Sequence, residues 1–143
     1  MKIYSRKVFY YETDKMSIVH NANYLRIYEE ARLSFMEQLG VPYTYIEEQG
    51  ILIPVVDAYV RYHHTLAFGD EFAVQVKLAG FNGIRMEFHY EIRRIGDEEL
   101  ISEGHTSHCF IDETTRLPLS IKKKLPDVYA LMMSSVEKEC TNS

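Results

Sequence analysis

The sequence predicts an α+β domain in which an antiparallel, five-stranded sheet wraps around one long central helix. Three observations carry that expectation. Between Asn23 and Leu39 apolar side chains recur every three or four residues, the period of a helix with one buried face. From Val56 onward the period changes to two and stays there, as in strands with one dry and one wet face. Asn82-Gly83 and Gly96-Asp97 then punctuate the later segments, and turns that tight join antiparallel neighbours.

Residues 3–11 are β-branched and aromatic enough for a first strand, although their alternation is poor. In the helix, Tyr24, Tyr28, Ala31, Phe35 and Leu39 form the stripe, widened by Leu25, Ile27 and Met36. Asn21 and Asn23 are both candidate N-caps, and Gly40 suits the left-handed position past the helix end, with Pro42 preventing resumption. About 18 residues at ~1.5 Å each give a rod long enough to cross a small domain. Tyr43 to Gln49 forms a helical turn. Val56, Ala58, Val60 and Tyr62 then alternate with Asp57, Tyr59, Arg61 and His63, a half-buried strand with Pro54 near its start. Phe72, Val74, Val76 and Leu78 define the next strand, and Ile84, Met86, Phe88, Tyr90 and Ile92 its return. Leu100 to Asp112 follows, with Gly104, Thr106 and Ser107 making one face small. The tail from Leu117 is a turn and two helical segments, one capped by Ser120 and one restarted at Pro126. The whole chain, 1–143, is expected to be one domain with strands in mostly sequential order, frayed from about residue 137.

Composition narrows the function classes. A net charge of −5 offers no basic field for nucleic acid, which argues against it as a partner. Cys109 and Cys140 lie far apart and match no metal-ligand spacing, so free thiols in a reducing cytosol are expected. The N-terminus lacks a continuous apolar stretch and no run of about 18 apolar residues occurs, so neither export nor a membrane span is expected. His63 and His64, like His105 and His108, fall on opposite faces of a strand, which disfavours a metal site.

The most chemically loaded place lies just ahead of the helix. Glu12-Thr13-Asp14 leads through a loop to Val19-His20-Asn21, and Asn23-Tyr24-Leu25 leads on to Glu29-Glu30-Ala31-Arg32. With the element order, this string resembles the hotdog-fold acyl-CoA thioesterases of the 4-hydroxybenzoyl-CoA thioesterase type, over nearly the whole chain from Tyr4 to Leu131. The resemblance implies a hotdog fold and a catalytic aspartate at Asp14. It also implies that the backbone N–H near Asn21 holds the thioester carbonyl. Three positions depart from the commonest pattern of that branch, which has Gly at 17, Tyr at 20 and His at 21; here they are Ser17, His20 and Asn21.

Thioester hydrolysis needs a nucleophile delivered to a carbonyl and a place for the oxyanion. Asp14 can supply the first, by polarising water or by direct attack, and helix N-terminal amides the second. A thiolate leaves readily, so Asp14 with oriented amides is a sufficient minimal set. For His20 two roles stay open, direct participation and positioning of the loop; the Asn21 side chain is expected to cap. Glu30, a second candidate carboxylate, is expected to pair with Arg26 at i,i+4, and Glu29 with Arg32 at i,i+3. Tyr24, Tyr28 and Tyr59 are candidate walls for an aromatic or a fatty acyl group. Arg61 and Arg85, with Arg116 and Lys122 to Lys124, are the cations available to coenzyme A phosphates. The expected protein is thus a cytoplasmic acyl-CoA thioesterase, acting without metal or redox cofactor, with coenzyme A entering only as part of the substrate. Acyl carrier protein is the other possible carrier. Similar proteins assemble into homodimers and homotetramers. The alternative is a non-catalytic hotdog module that binds acyl-CoA or acyl carrier protein, although pure binding needs no carboxylate beside a thioester.

Overall fold

The computed structural model describes residues 2–141, with side chains described through Val136. Strand β1 (Tyr4–Lys7) leads through a 3-10 turn (Tyr10–Glu12) and a loop into helix α1 (Asn23–Leu39). Then follow α2 (Tyr43–Glu48), β2 (Ile51–Leu52), β3 (Val55–Tyr62), β4 (Glu71–Phe81), β5 (Arg85–Arg94), β6 (Leu100–Cys109), β7 (Ile111–Asp112), α3 (Ile121–Lys124) and α4 (Pro126–Thr141). The expected fraying from about residue 137 concerns a stretch whose side chains lie outside the described residues, as does the side chain of Cys140. Cys109 is a half-buried free thiol.

Five strands pair antiparallel in the order β1-β4-β5-β6-β3. The sequential part is β4-β5-β6, joined by the two expected turns. β3 departs from sequential order and lies beside β6 at the far edge. Residues 63–70 are too many for a two-residue hairpin, and the outer side of β4 is taken by β1, so the chain crosses to the other end. The first strand is shorter than 3–11 because Glu12 folds back on Phe9: its N–H donates to the Phe9 carbonyl and its carboxylate accepts the Phe9 N–H. The stretch from Leu100 to Asp112 breaks at the buried Phe110, and β7 pairs with β2 in a separate two-stranded sheet.

Helix α1 lies against the inner face of the sheet. Tyr24, Ile27, Tyr28, Ala31, Phe35 and Met36 are buried, while Leu25 is exposed and Gly40 ends the helix at φ 94°. The Tyr28 ring stacks on Tyr90 with centroids 4.4 Å apart, and its hydroxyl meets Ser102 Oγ at 2.7 Å. Such close approach requires Gly104. A Cβ there would collide with the Tyr59 carbonyl oxygen and stand 2.8 Å from Tyr28 Cε2. The small inner face is therefore Ser102, Gly104 and Thr106, with Ser107 on the outer side.

Arg32 is also on the buried face, 5% exposed, and not paired with Glu29. Its Nε donates to the Tyr43 hydroxyl (2.9 Å) and its Nη1 to the Tyr90 hydroxyl (3.0 Å). Tyr90 OH and Thr106 Oγ1 are 2.6 Å apart, and Thr106 Oγ1 and His108 Nε2 are 2.8 Å apart. Because arginine only donates, the protons run outward from Arg32 through Tyr90 and Thr106, making His108 Nε2 the acceptor. That leaves the proton on Nδ1, which has no partner among the described residues. Burial, then the charge of Arg32, pulls the His108 pKa down to about 4, against a weaker upward pull from Asp57.

A histidine neutral in the fold and protonated in the unfolded chain makes stability fall as the pH is lowered. Between the ordinary value of 6.5 and about 4 the unfolded state binds the extra proton, so stability is full above that window and declines through it. The loss is on the order of 3 kcal/mol. Urea unfolding of wild type and His108→Gln at neutral pH and near pH 4.5 checks this. The variant's stability is expected to change much less between the two; an equal decline in both proteins contradicts it.

Candidate active site

The segment between the 3-10 turn and α1 is a closed tongue. Thr13 and Val19 form an antiparallel bridge, the Asp14 N–H donates to the Ile18 carbonyl (2.9 Å), and the Ser17 N–H donates to the Asp14 carbonyl (2.9 Å). Asp14 Oδ1 accepts the Met16 N–H at 2.8 Å, the local turn that Asp favours. Ser17 turns the tip at φ 64°, a left-handed conformation easiest for glycine, which explains the glycine common at this place in the resembling branch. Asp14 is half-buried and opens the turn at the tip of the tongue, two residues beyond the Glu12–His20 pairing that closes its root.

The start of α1 is not capped as expected. The capping position is Ala22, and neither Asn21 nor Asn23 caps by its side chain. Asn23 Nδ2 reaches back to the Glu12 carbonyl (2.9 Å), the same oxygen that accepts the His20 N–H (2.8 Å). His20 does the capping instead: its Nδ1 accepts the Ala22 N–H at 3.1 Å. The Asn23 N–H goes to the His20 carbonyl and the Tyr24 N–H to the Asn21 carbonyl. In this run the N–H left without an acceptor, among the described residues, is that of Asn21. No acidic residue stands in the first turn of α1, so the helix does not neutralise its own positive end there. His20 and Asn21 thus form one corner of the fold at the start of α1, with Asp14 on the adjoining tongue.

Tyr62 completes that corner from β3. Its hydroxyl donates to the Asn21 carbonyl (3.1 Å) and its ring meets Tyr24 edge-on, centroids 5.2 Å apart. Tyr24 is buried and its hydroxyl pKa is pushed up to about 12 by burial, with Tyr62 adding to the rise. Alternation placed Tyr62 on the inner face, but only the crossing of β3 to the far edge brings it to the helix start.

Residues 8–130 match the thioesterase-like superfamily. The chain belongs to that superfamily. Its fold is the hotdog fold, and its chemistry is thioester hydrolysis. Among solved structures it is similar to a DHNA-CoA thioesterase from Staphylococcus aureus, at 30% identity with a TM-score of 0.90, covering 98% of this chain and 93% of that one. Among curated proteins it is 34% identical over 121 residues to one from Bacillus subtilis (strain 168) named "Putative acyl-CoA thioesterase YneP", covering 85% of this chain and 87% of the relative. It is also 24% identical over 143 residues to a 1,4-dihydroxy-2-naphthoyl-CoA hydrolase from Thermosynechococcus vestitus, covering 99% of this chain and 94% of that protein.

The other candidate residues of this thioesterase are spread out. Tyr28 lies deeper along α1, sealed against Tyr90. Tyr59, Arg61 and Arg85 stand on the outer face of the sheet, on the side away from α1. Tyr59 stacks on His105 (5.2 Å), Arg61 is in register with Glu103, and Arg85 lines a shallow cleft with Asn82, Glu87 and Ser107. His105 and His108 do face opposite ways, and no metal-binding cluster occurs among the described residues. Glu30 does not pair with Arg26. It is held by Arg6 and by the Tyr4 hydroxyl (2.7 Å), because a guanidinium from β1 reaches it in better geometry than a helix neighbour can. The Arg6–Glu12 pair is the contact that sequence reasoning missed. Burial alone would raise the Glu12 pKa, but the hydrogen bonds from Arg6 and the Phe9 N–H, with the charge of Arg6, hold it below the usual carboxylate range.

The capping geometry ranks two substitutions. Asn21→Ala keeps the backbone N–H, the group that would hold the oxyanion, and removes a side chain that caps nothing, so turnover is expected within about threefold of wild type. His20→Ala loosens the Ala22 amide beside the same N–H and is expected to reduce kcat further, by roughly tenfold, the scale of about 1 kcal/mol for a lost cap. Steady-state thiol release measures both. An Asn21→Ala protein that folds and is inert places chemistry on that side chain instead.

Proposed function

We propose that this thioesterase hydrolyses acyl-CoA, with Asp14 as the catalytic carboxylate and the Asn21 N–H as the donor that holds the developing oxyanion. The observation that supports this is an unsatisfied N–H at the start of α1 together with a half-buried carboxylate on the adjoining tongue. A thioester carbonyl oxygen seated on Asn21 N–H gains from the positive end of α1 as negative charge develops, so the interaction strengthens toward the transition state. Asp14 has Oδ1 committed to the Met16 N–H, leaving Oδ2 to polarise water or to attack. The thiolate of coenzyme A then departs without a strong general acid, so no metal or redox cofactor enters the scheme. His20 positions the first amides, and Tyr24 with Tyr62 forms the aromatic mouth through which the acyl group passes. Tyr28 contributes the wall behind it. The names of the relatives support coenzyme A as the carrier; acyl carrier protein presents the same phosphopantetheine arm. Tyr59, Arg61 and Arg85 could meet substrate only across a subunit junction, since within one chain they face away from α1.

A homodimer through β3 completes this picture. β3 is an edge strand exposed along most of its length, with Val55 53%, Val56 45% and Tyr62 49% exposed, and Tyr62 touches the site. Long apolar edges call for a partner strand. The proposed compartment is the cytoplasm; among the described residues no helix is long and apolar enough to cross a membrane. Light scattering at micromolar concentration is expected to give a dimer or tetramer, and Val56→Asp to shift it toward monomer with loss of turnover. A fully active monomer contradicts the role of β3.

Asp14→Asn keeps shape and hydrogen bonding and removes the anion. Steady-state thiol release over a panel of aromatic and fatty acyl-CoAs is expected to show kcat lower by at least about a hundredfold, the scale of lost general-base assistance. KM should move little, because the amides and pocket are untouched. A folded Asp14→Asn protein within tenfold of wild-type kcat removes Asp14 from the mechanism. No turnover by wild type on any substrate, with retained binding, favours the acyl-CoA-binding module.

A further inference from the structure

We infer that Arg6 is a positioning residue for hydrolysis: it fixes where the tongue bearing Asp14 sits relative to the first amides of α1. The inference rests on Asp14 being the catalytic carboxylate. Arg6 is on β1, outside the loop-and-helix string that carries the chemistry, yet all five of its N–H donors find acceptors. Nη1 donates to Glu12 Oε1 (2.8 Å) and to the Lys7 carbonyl (3.0 Å). Nη2 donates to Glu12 Oε2 (2.8 Å) and to Glu30 Oε2 (3.2 Å), and Nε donates to Glu30 Oε1 (2.9 Å). The guanidinium also packs against the rings of Phe9 and Phe72, 4.5 and 5.0 Å from their centroids. One planar cation therefore forks to two carboxylates at once, a task lysine cannot reproduce.

The two carboxylates belong to the two parts that must be aligned. Glu12 lies two residues before Asp14, with its side chain only 5% exposed, and Glu30 lies on α1. Glu12 is already tied to the start of α1 through its carbonyl, which accepts from His20 N and Asn23 Nδ2. The tongue is thus attached to α1 at Asn23 directly and at Glu30 through Arg6. Those two points are seven residues apart, or about 10 Å along the axis. A single attachment leaves a hinge; two attachments fix both separation and angle. Without Arg6, Glu12 and Glu30 are left as like charges facing one site, and the buried Glu12 loses its counter-ion, so the tongue is driven away from α1. A displacement near 1 Å between a reacting carboxylate and its carbonyl is enough to cost on the order of a hundredfold in rate.

A double-mutant cycle on the full chain separates positioning from general support. Thiol release is measured for wild type, Arg6→Ala, Asp14→Asn and the double variant, with circular dichroism confirming the fold. Arg6→Ala is expected to lower kcat by roughly tenfold to a hundredfold with KM within about threefold, a loss of transition-state contacts only. If Arg6 acts through Asp14, the double variant turns over no slower than Asp14→Asn alone. Methylguanidinium, which refills the gap between Phe9 and Phe72, is expected to restore part of kcat to Arg6→Ala and nothing to the double variant. Wild-type kcat in Arg6→Ala, or the same fold-loss in both backgrounds, overturns the inference. Asp14→Asn that turns over normally instead overturns the assignment of Asp14, a result read from a different protein. Should Arg6→Ala not fold, Glu30→Gln carries the same cycle, since it changes a side chain 37% exposed and leaves the Arg6–Glu12 fork intact. A kcat loss in Glu30→Gln that vanishes beside Asp14→Asn supports the two-point attachment, and unchanged kcat overturns it.

Discussion

Helix α1 can sit where it does only because position 104 has no side chain. Tyr28 presses into β6 at Gly104, lies flat on Tyr90 and reaches Ser102, and the depth of α1 in the sheet follows from those contacts. That depth also decides what becomes of Arg32, one turn further along. It ends among Tyr43, Tyr90 and Thr106 rather than at the surface. A buried guanidinium that meets hydroxyls instead of a carboxylate keeps its charge at a desolvation cost, and the shared network down to His108 offsets part of it. A helix held this firmly presents its first amides at a fixed place, which electrostatic catalysis at a helix start requires.

The two arginines act at different levels of the fold. Arg32 ties the middle of α1 to the sheet through the neutral hydroxyls of Tyr43 and Tyr90, so its contribution does not depend on carboxylate protonation. Arg6 works through charge at the sheet edge, joining β1, the tongue and α1 by a fork to Glu12 and Glu30. Burying an ion pair is weak support for stability as such, since desolvation cancels much of the attraction. Its use here lies in geometry: the planar fork admits few arrangements of the three segments it touches.

Much of this was legible in the sequence because it depends on local pattern. Helical period and Gly40 set α1 to within a residue or two, strict alternation set the inner faces of β4 and β5, and Asn82-Gly83 set the turn between them. The loop string located the tongue and the start of α1 next to one another, where Thr13 pairs with Val19 and His20 with Glu12. What stayed hidden depended on which neighbours meet. Alternation says which face Tyr62 occupies and not that β3 ends beside β6, so its contact with Asn21 could not be read. Asn23 has the right chemistry for a cap, yet tertiary structure offers its amide the Glu12 carbonyl, and His20 caps in its place. Likewise Glu30 had a helix partner in Arg26 at ideal spacing and lost it to a strand residue 24 positions away. Tyr59, Arg61 and Arg85 fit a substrate by chemistry, but β3 and β5 turn them to the outer face.

In the proposed reaction one carbonyl lies between Asp14 and the Asn21 N–H. A ketone analogue of acyl-CoA, with a methylene in place of the thioester sulfur, retains that carbonyl and cannot be hydrolysed. A crystal structure of the protein with it bound measures the two distances that matter. The expected result is a carbonyl oxygen about 3 Å from Asn21 N, with the carbonyl carbon within roughly 3.5 Å of Asp14 Oδ2 or of a single water bonded to it. A carbonyl seated elsewhere, with Asp14 beyond the reach of one water and the Asn21 N–H turned to solvent, contradicts the assignment.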